Sequence, residues 1–148
     1  MDSKHKKAQV VITAIDSKRQ SFNVLLLQTN QKRGEFWQNC TGKMEVGESY
    51  EEGALREALE ETAIKVEHIV DFLELGLSFE FIDQRNNDVI EKCFLMIIDE
   101  PVKIKIDPHE HQNYKWIHIE DITPNCVFYG SNYEALNKAQ ILLKHWGQ

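Results

Sequence analysis

No hydrophobic run in this sequence approaches the roughly 20 consecutive apolar residues that a membrane-spanning helix needs. The first residues, MDSKHKKAQVVI, are basic, but the polar Thr13 and Asp16 that follow interrupt what would be the apolar core of a signal sequence. We therefore expect a mature cytoplasmic protein that does not insert into membranes.

Cysteine and proline are also scarce. The three cysteines, Cys40, Cys93 and Cys126, lie far apart and form no CxxC pair, which argues against a disulfide framework and a structural zinc site. The sequence has no internal repeat, low-complexity tract or Pro/Ser-rich linker. We expect packed free thiols and a single domain over residues 1–148.

Basic residues are fewer than acidic ones. The sequence has 17 lysines and arginines and 24 aspartates and glutamates, so its net charge is -7. Such a surface disfavours binding to a nucleic-acid duplex or to an anionic membrane, since both require clustered Lys and Arg. A polyanion can still bind to an acidic protein where metal ions bridge the two.

Residue patterns predict strands and two helices. Helices are predicted from Ser49, with Glu52 at the capping-box spacing, and from Ser131, with Glu134 in the same relation. The apolar stripe of each helix needs a sheet to pack on, so we expect an α/β (α+β) fold with a mixed β-sheet between helices. The strands, rich in β-branched and aliphatic residues, are predicted at 8–16, 22–28, 76–83, 91–99 and 113–119.

The first helix carries an unusual acidic face. Glu57, Glu60 and Glu61 share a sector separate from the apolar side, and few lysines stand four positions away to relieve their repulsion. Gly42 and Gly47 precede the helix in a loop that can approach a ligand closely. Clustered carboxylates of this kind suit Mg²⁺, whereas the alternative interpretation is a solvated acidic surface.

Residues 42–64 resemble the signature of the Nudix hydrolases. The matching residues are Gly42, Glu48, Arg56, Glu57, Ala58, Glu60, Glu61 and Ile64, while Ala63 replaces the usual second glycine. The resemblance implies an α/β/α sandwich and Mg²⁺-dependent hydrolysis of a pyrophosphate bond, with Mn²⁺ able to substitute. We expect Ala63 to affect mainly the helix exit, where glycine permits a positive φ.

The flanking segments FWQNCTG and EHQNYKWI look like the branch that hydrolyses dihydroneopterin triphosphate and dATP. This implies a nucleoside or pterin triphosphate as substrate, cleaved to a monophosphate and pyrophosphate by a monomer or homodimer. The alternatives are hydrolysis of a dinucleoside polyphosphate, a nucleotide sugar or a capped RNA, and a binding module without turnover.

The resemblance also implies roles for individual residues. The carboxylates of Glu57, Glu60, Glu61 and Glu110 and the carbonyl of Gly42 are expected to hold the metal. Glu57, Glu60 and Glu110 are also expected to serve the catalysis, with Arg56 orienting the glutamates and Glu48 supporting the junction of loop and helix. The expected substrate contacts are Lys7, Thr41, Phe79 and Glu80, and Thr29 stands where the branch has a basic residue.

The histidines beside Glu110 and several aromatic residues allow further interpretations. If 109–111 is extended, His109 and His111 point to one side and Glu110 to the other, so that a histidine lines the substrate pocket or, alternatively, binds zinc. Aromatic side chains could stack on a flat ring or pack in the core. They are Trp37, Trp116, Phe79 and Phe81.

Overall fold

The computed structural model describes residues 5–147, in which seven strands form one sheet and two α-helices pack on it. The α-helices are α1 (Tyr50–Thr62) and α2 (Gly130–Leu143). The strands are β1 (His5–Asp16), β2 (Ser21–Thr29), β3 (Trp37–Gln38), β4 (Cys40–Lys43), β5 (Ile69–Ile82), β6 (Asp88–Ile98) and β7 (His111–His118). None of the helices in this part of the chain is long and apolar enough to span a membrane.

The sheet is mixed. Its main path is β3-β2-β1-β6-β5, with β7 paired to β2 and β4 paired to β1. β1 and β6 are parallel, as in the pair Val10 and Phe94, whereas the other pairs are antiparallel. β1 pairs with β2 from Thr13 onward but with β4 from Lys7 to Val10, so the sheet divides where β1 changes partner.

Each face of the sheet is covered by one helix. Along β1, Val10 and Ile12 pack in the cluster that contains Ala54 and Ala58 of α1. The intervening Val11 packs in the cluster under α2. This alternation buries apolar residues on both faces and confirms the predicted α+β sandwich with a mixed sheet between helices. Cys40 and Cys93 are buried and all three cysteines are free thiols, as expected.

The predicted start of α1 is confirmed. Ser49 caps the helix and accepts from the backbone N–H of Glu52 at 3.1 Å, while the Glu52 carboxylate accepts from the Ser49 N–H at 3.0 Å. The helix ends at Ala63, which adopts the left-handed conformation with φ 58°. The position that usually holds glycine therefore keeps the backbone conformation of glycine.

The predicted capping box of α2 is wrong, because α2 begins one residue earlier, at Gly130, and no side chain caps it. The carbonyl of Tyr129 instead accepts from the backbone N–H groups of Asn132 and Tyr133. The apolar stripe of the helix is confirmed. Its buried members are Ala135, Leu136, Ala139 and Leu143.

Candidate active site

Gly42 in β4 lies directly against the acidic face of α1. A Cβ atom at this position would overlap with the carboxyl group of Glu57. A glycine is therefore required here by the close approach of backbone and side chain. The structure thus brings together two residues that the sequence pattern assigned to one metal site, the carboxylate of Glu57 and the backbone of Gly42.

Arg56 holds the loop and the helix together. Its Nε donates to Oε2 of Glu48 at 2.6 Å and its Nη2 donates to Oε1 at 3.0 Å, a two-pronged ion pair. Nη2 also donates to the Lys43 carbonyl, and Nη1 reaches Glu57 at 3.0 Å and Glu60 at 3.1 Å. Hydrogen bonding to Arg56 lowers the pKa of Glu48, whose main role is thus at the junction of loop and helix.

The acidic residues of α1 differ in exposure. The side chain of Glu60 is 61% exposed, that of Glu57 is 17% exposed and that of Glu61 is 5% exposed. Burial raises the pKa of Glu57 and of Glu61, although a hydrogen bond from Arg56 opposes the shift at Glu57. Two of the three carboxylates are therefore not part of a solvated acidic surface.

Glu110, which directly precedes β7, and His111, the first residue of β7, meet Glu61. One ligand atom from each of these three residues lies within 4.8 Å of the other two. A hydrogen bond with Glu61, followed by burial, raises the pKa of Glu110 to about 7. Burial, followed by the charge of Arg33, lowers the pKa of His111 to about 4, so its imidazole is neutral at neutral pH.

The expectation that Glu110 and His111 point to opposite sides is wrong. Residues 108–110 form a turn, not an extended segment, because the backbone N–H groups of both Glu110 and His111 donate to the carbonyl of Asp107. Asn30 N–H donates to the Glu110 carbonyl at 3.0 Å and ties the turn to the end of β2. His109 is exposed, so the two histidines have different environments.

Buried polar atoms that lack a hydrogen-bond partner indicate whether a cation fits this cluster. Within residues 5–147, Oε2 of Glu61 and Nδ1 of His111 are buried and make no hydrogen bond, although they lie 3.1 Å apart. Orphaned buried polar atoms are costly, and carboxylate oxygens are the ligands that Mg²⁺ prefers. The residues therefore fit a divalent cation, which would relieve the burial of their charge.

The residues expected to contact substrate lie mainly on the other face of the sheet. Lys7 in β1 is opposite Glu91 in β6, which in turn is opposite Phe79 in β5. Directly paired residues share a face, so these three side chains lie on the α2 side, with Lys7 and Phe79 about 10 Å apart. Thr41 is opposite the buried Gln9 of the same face.

Phe79 and Glu80 lie on opposite faces of the sheet, because neighbouring residues of a strand point to opposite faces. Phe79 packs against the cluster under α2. Glu80 is exposed and lines a cavity at the end of β5 and the start of β6 with Phe81, Ile82, Asp88 and Val89. Among the other aromatic candidates, Trp116 packs against the core below α1.

An exposed aromatic group near the site was not predicted from the sequence. Phe36 stacks on Phe128 with ring centres 4.7 Å apart, and Tyr129 meets both rings edge-on. Phe128 is 66% exposed and Tyr129 is 43% exposed. The group adjoins the acidic cluster, since Phe36 N–H donates to the hydroxyl of Thr29, which pairs with His111. The adjacent aromatic pair just before α2 was the signal available in the sequence.

Comparison with known proteins agrees with the fold. Residues 4–136 match the family described as NUDIX domain, and the chain belongs to this family. An octanoyltransferase of Myxococcus xanthus is 28% identical over 122 residues, which are 82% of this chain. The chain spans only 33% of the length of that curated relative.

Two solved structures are similar over nearly the whole chain. The C. elegans Ap4A hydrolase, in a binary complex, has a TM-score of 0.77 and 24% identity, covering 96% of this chain and 99% of that one. The E. coli dihydroneopterin triphosphate pyrophosphohydrolase has a TM-score of 0.76 and 27% identity, covering 93% and 95%. The chain thus has the fold of the NUDIX-domain family, with a cluster of acidic residues suited to a divalent metal.

Proposed function

We propose that this enzyme hydrolyses a pyrophosphate bond of a nucleoside or pterin triphosphate and releases a monophosphate and pyrophosphate. The observation that carries the proposal is the group of buried carboxylates beside Gly42, in which Oε2 of Glu61 has no hydrogen-bond partner. The similarity to the E. coli dihydroneopterin triphosphate pyrophosphohydrolase supports this branch. We also propose that Mg²⁺ is the metal, with Mn²⁺ able to replace it.

The carboxylates of Glu57, Glu60, Glu61 and Glu110 and the carbonyl of Gly42 are the proposed metal ligands. A divalent cation supplies charge neutralisation of the phosphates and lowers the pKa of a water molecule. Arg56 keeps Glu57 and Glu60 in place by its hydrogen bonds. One of Glu57, Glu60 and Glu110 would accept a proton from the attacking water.

Substrate recognition is proposed to take place beside β4. Lys7 would attract the phosphate chain and Thr41 would donate a hydroxyl hydrogen bond, while Phe79 and Glu80 contribute from β5. The division of the sheet where β1 changes partner supports this, because a ligand bound there can contact residues of both faces. The exposed rings of Phe128 and Tyr129, which pack against the partly buried Phe36, would stack on the flat base or pterin.

We further propose that the chain acts as one domain, as a monomer or homodimer, and in the cytoplasm. Three free cysteines, two of them buried, support a reducing compartment. The net charge of -7 supports a small phosphorylated substrate and neither a nucleic-acid duplex nor a membrane as partner.

The test is a substrate panel assayed with Mg²⁺ and with product analysis. It contains dihydroneopterin triphosphate, the deoxynucleoside triphosphates, a dinucleoside polyphosphate, a nucleotide sugar and a capped RNA. We expect pyrophosphate as product from the triphosphates, and hydrolysis in H₂¹⁸O identifies which phosphorus is attacked. Faster cleavage of any of the other three substrates would contradict the proposed substrate class.

The variant Glu57→Gln distinguishes an enzyme from a binding module. It should lose several orders of magnitude in kcat/KM while still folding, because it removes a charged ligand and keeps the shape of the side chain. Glu51→Gln, in the exposed first turn of the same helix, is the matched control and should keep full activity. Equal behaviour of the two variants would refute catalysis at this site.

A further inference from the structure

His111 belongs to the acidic cluster, although the proposed function assigns no role to its imidazole. Its side chain is 1% exposed, and its Nδ1 lies 3.1 Å from Oε2 of Glu61. Neither atom makes a hydrogen bond within residues 5–147. Glu110 completes the group with an oxygen atom close to both.

The spacing of these atoms fits adjacent corners of a coordination shell. Ligands bound at about 2.1 Å in octahedral geometry are about 3.0 Å from their neighbours in the shell. The separation of 3.1 Å between Nδ1 of His111 and Oε2 of Glu61 is close to that value. A nitrogen and an oxygen atom are thus placed to bind one ion without a large movement of either buried side chain.

The other nitrogen of the ring has a partner that can set its protonation. Nε2 of His111 lies 3.3 Å from the amide nitrogen of the buried Gln38. A 180° rotation of this amide exchanges its nitrogen for its oxygen. If the amide turns its oxygen to the ring, Nε2 carries the proton and Nδ1 keeps a lone pair for a metal. Metal-binding histidines are commonly oriented by such a hydrogen bond from the ring nitrogen that does not bind the metal.

We propose that His111 is a direct ligand of the bound cation, so that Glu61, Glu110 and His111 form a mixed nitrogen and oxygen site selective for Mn²⁺ over Mg²⁺. The inference rests on the proposed metal-dependent function and deepens it. An all-oxygen site suits Mg²⁺, whereas replacing one oxygen ligand by an imidazole nitrogen lowers the affinity for Mg²⁺ relative to first-row transition ions, Mn²⁺ among them. This chain would therefore bind Mn²⁺ at lower concentrations than its carboxylates alone would allow.

The first measurement is pulsed electron paramagnetic resonance of Mn²⁺ bound to the full-length wild-type protein without substrate. Direct ligation gives a ¹⁴N modulation of the Mn²⁺ signal, which changes to the ¹⁵N pattern when the protein is labelled at histidine. This readout requires no substitution and no turnover. If Mn²⁺ binds without nitrogen modulation, or does not bind, His111 is not a ligand and the inference is overturned.

The second measurement compares His111→Gln with His109→Gln, an exposed histidine two residues away. Calorimetric titration should show the ratio of Mn²⁺ to Mg²⁺ affinity falling about tenfold or more in His111→Gln, because a nitrogen ligand is lost. His109→Gln should keep both the ratio and the ¹⁴N signal. An unchanged ratio in His111→Gln overturns the inference.

The two proposals fail in different ways. If the proposed function is wrong, the wild-type protein hydrolyses none of the triphosphates with Mg²⁺, whatever the Mn²⁺ spectrum shows. If only the inference is wrong, hydrolysis with Mg²⁺ proceeds and the Mn²⁺ spectrum contains no histidine nitrogen.

Discussion

The Cα atom of Gly42 packs against the carboxyl group of Glu57, leaving no space for a side chain at position 42. Gly42→Ala should therefore displace Glu57, since α1 is held by the fully buried Ala54 and Ala58 and cannot move away. We expect about a hundredfold loss of kcat/KM, the usual order for a misplaced catalytic group. Steady-state kinetics and Mn²⁺ titration check this prediction.

The matched control for this substitution is Gly130→Ala. A Cβ at position 130, in the first turn of α2, would meet no atom within 4 Å. This variant should keep its activity and its metal affinity. Full activity of Gly42→Ala would show that Glu57 does not need its observed position.

Arg56→Lys should weaken both the fold and the metal site. A lysine keeps the positive charge but cannot make the two-pronged contact with Glu48 while also reaching Glu57. We expect a loss of about 2 kcal/mol in unfolding free energy, as for a hydrogen bond to a charged group. Denaturant unfolding measures the loss, and a conservative change at the exposed Arg85, Arg85→Lys, should cost nothing.

Ala63→Gly should stabilise the protein. Ala63 has φ 58°, a conformation that costs an alanine energy and a glycine almost none. The greater entropy of glycine in the unfolded chain offsets part of the gain, leaving about 0.5–1 kcal/mol. The melting temperature should rise by about 2–4 °C for each kcal/mol gained, as expected for a chain of this size. Lys138→Gly, at an exposed position of α2, should lower the melting temperature. A melting temperature of Ala63→Gly below that of the wild type would refute the prediction.

The parts of the fold that the sequence predicted depend on local patterns. The capping box of Ser49 and Glu52 spans three residues, so both partners are visible together in the sequence. The first half of β5 was not predicted, because two register shifts, one of them spanning Gly76 at φ 67°, break its alternation of buried and exposed residues. β3 and β4 have two and four residues and are too short to show a period.

The candidate site was predictable where it lies on one helix. Glu57, Glu60 and Glu61 share a face by helical periodicity alone, and their proximity to Gly42 follows the spacing of the signature. Glu60 is exposed and Glu61 is buried because different parts of the fold pack over them. The spacing of residues along the helix gives no information about that packing. His111 joined the site only through the turn at Asp107, a tertiary feature tied to the end of β2.

Phe128→Ala should impair the binding of substrates that carry an aromatic ring. Phe128 is exposed and stacked on Phe36, so it can present a flat surface to a base. We expect KM for a nucleoside or pterin triphosphate to rise about tenfold, because stacking on an aromatic side chain contributes about 1–3 kcal/mol per base. Inorganic triphosphate has no ring, so its KM should not change.

The control for Phe128 is Ile141→Ala, which removes an exposed apolar side chain from α2. It should leave both KM values as they are. An equal rise in KM for the nucleotide and for inorganic triphosphate would show that Phe128 acts on the phosphate site or on the fold, and not on the ring.

The stability of the metal-free protein should depend on pH through Glu110. Its pKa is about 7 in the folded protein and near the ordinary value of 4.5 in the unfolded chain, so between these values the folded state binds more protons. The contribution of Glu110 is therefore complete below about pH 4.5 and is lost as the pH rises to about 7. His111 acts in the opposite direction between about 4 and 6.5, because burial lowers its pKa.

Comparison with Glu110→Gln isolates the contribution of Glu110, since the variant retains His111. Both melting temperatures are measured in the presence of a chelator. The melting temperature of the wild type minus that of Glu110→Gln should fall between pH 4.5 and about 7 and then stay constant. Saturating Mg²⁺ or Mn²⁺ should reverse the difference above pH 7, because the cation binds the carboxylate of the wild type. Glu120→Gln, at an exposed carboxyl, should show neither effect. A difference that does not vary with pH would mean that Glu110 is not a buried partner of Glu61 in the metal-free protein.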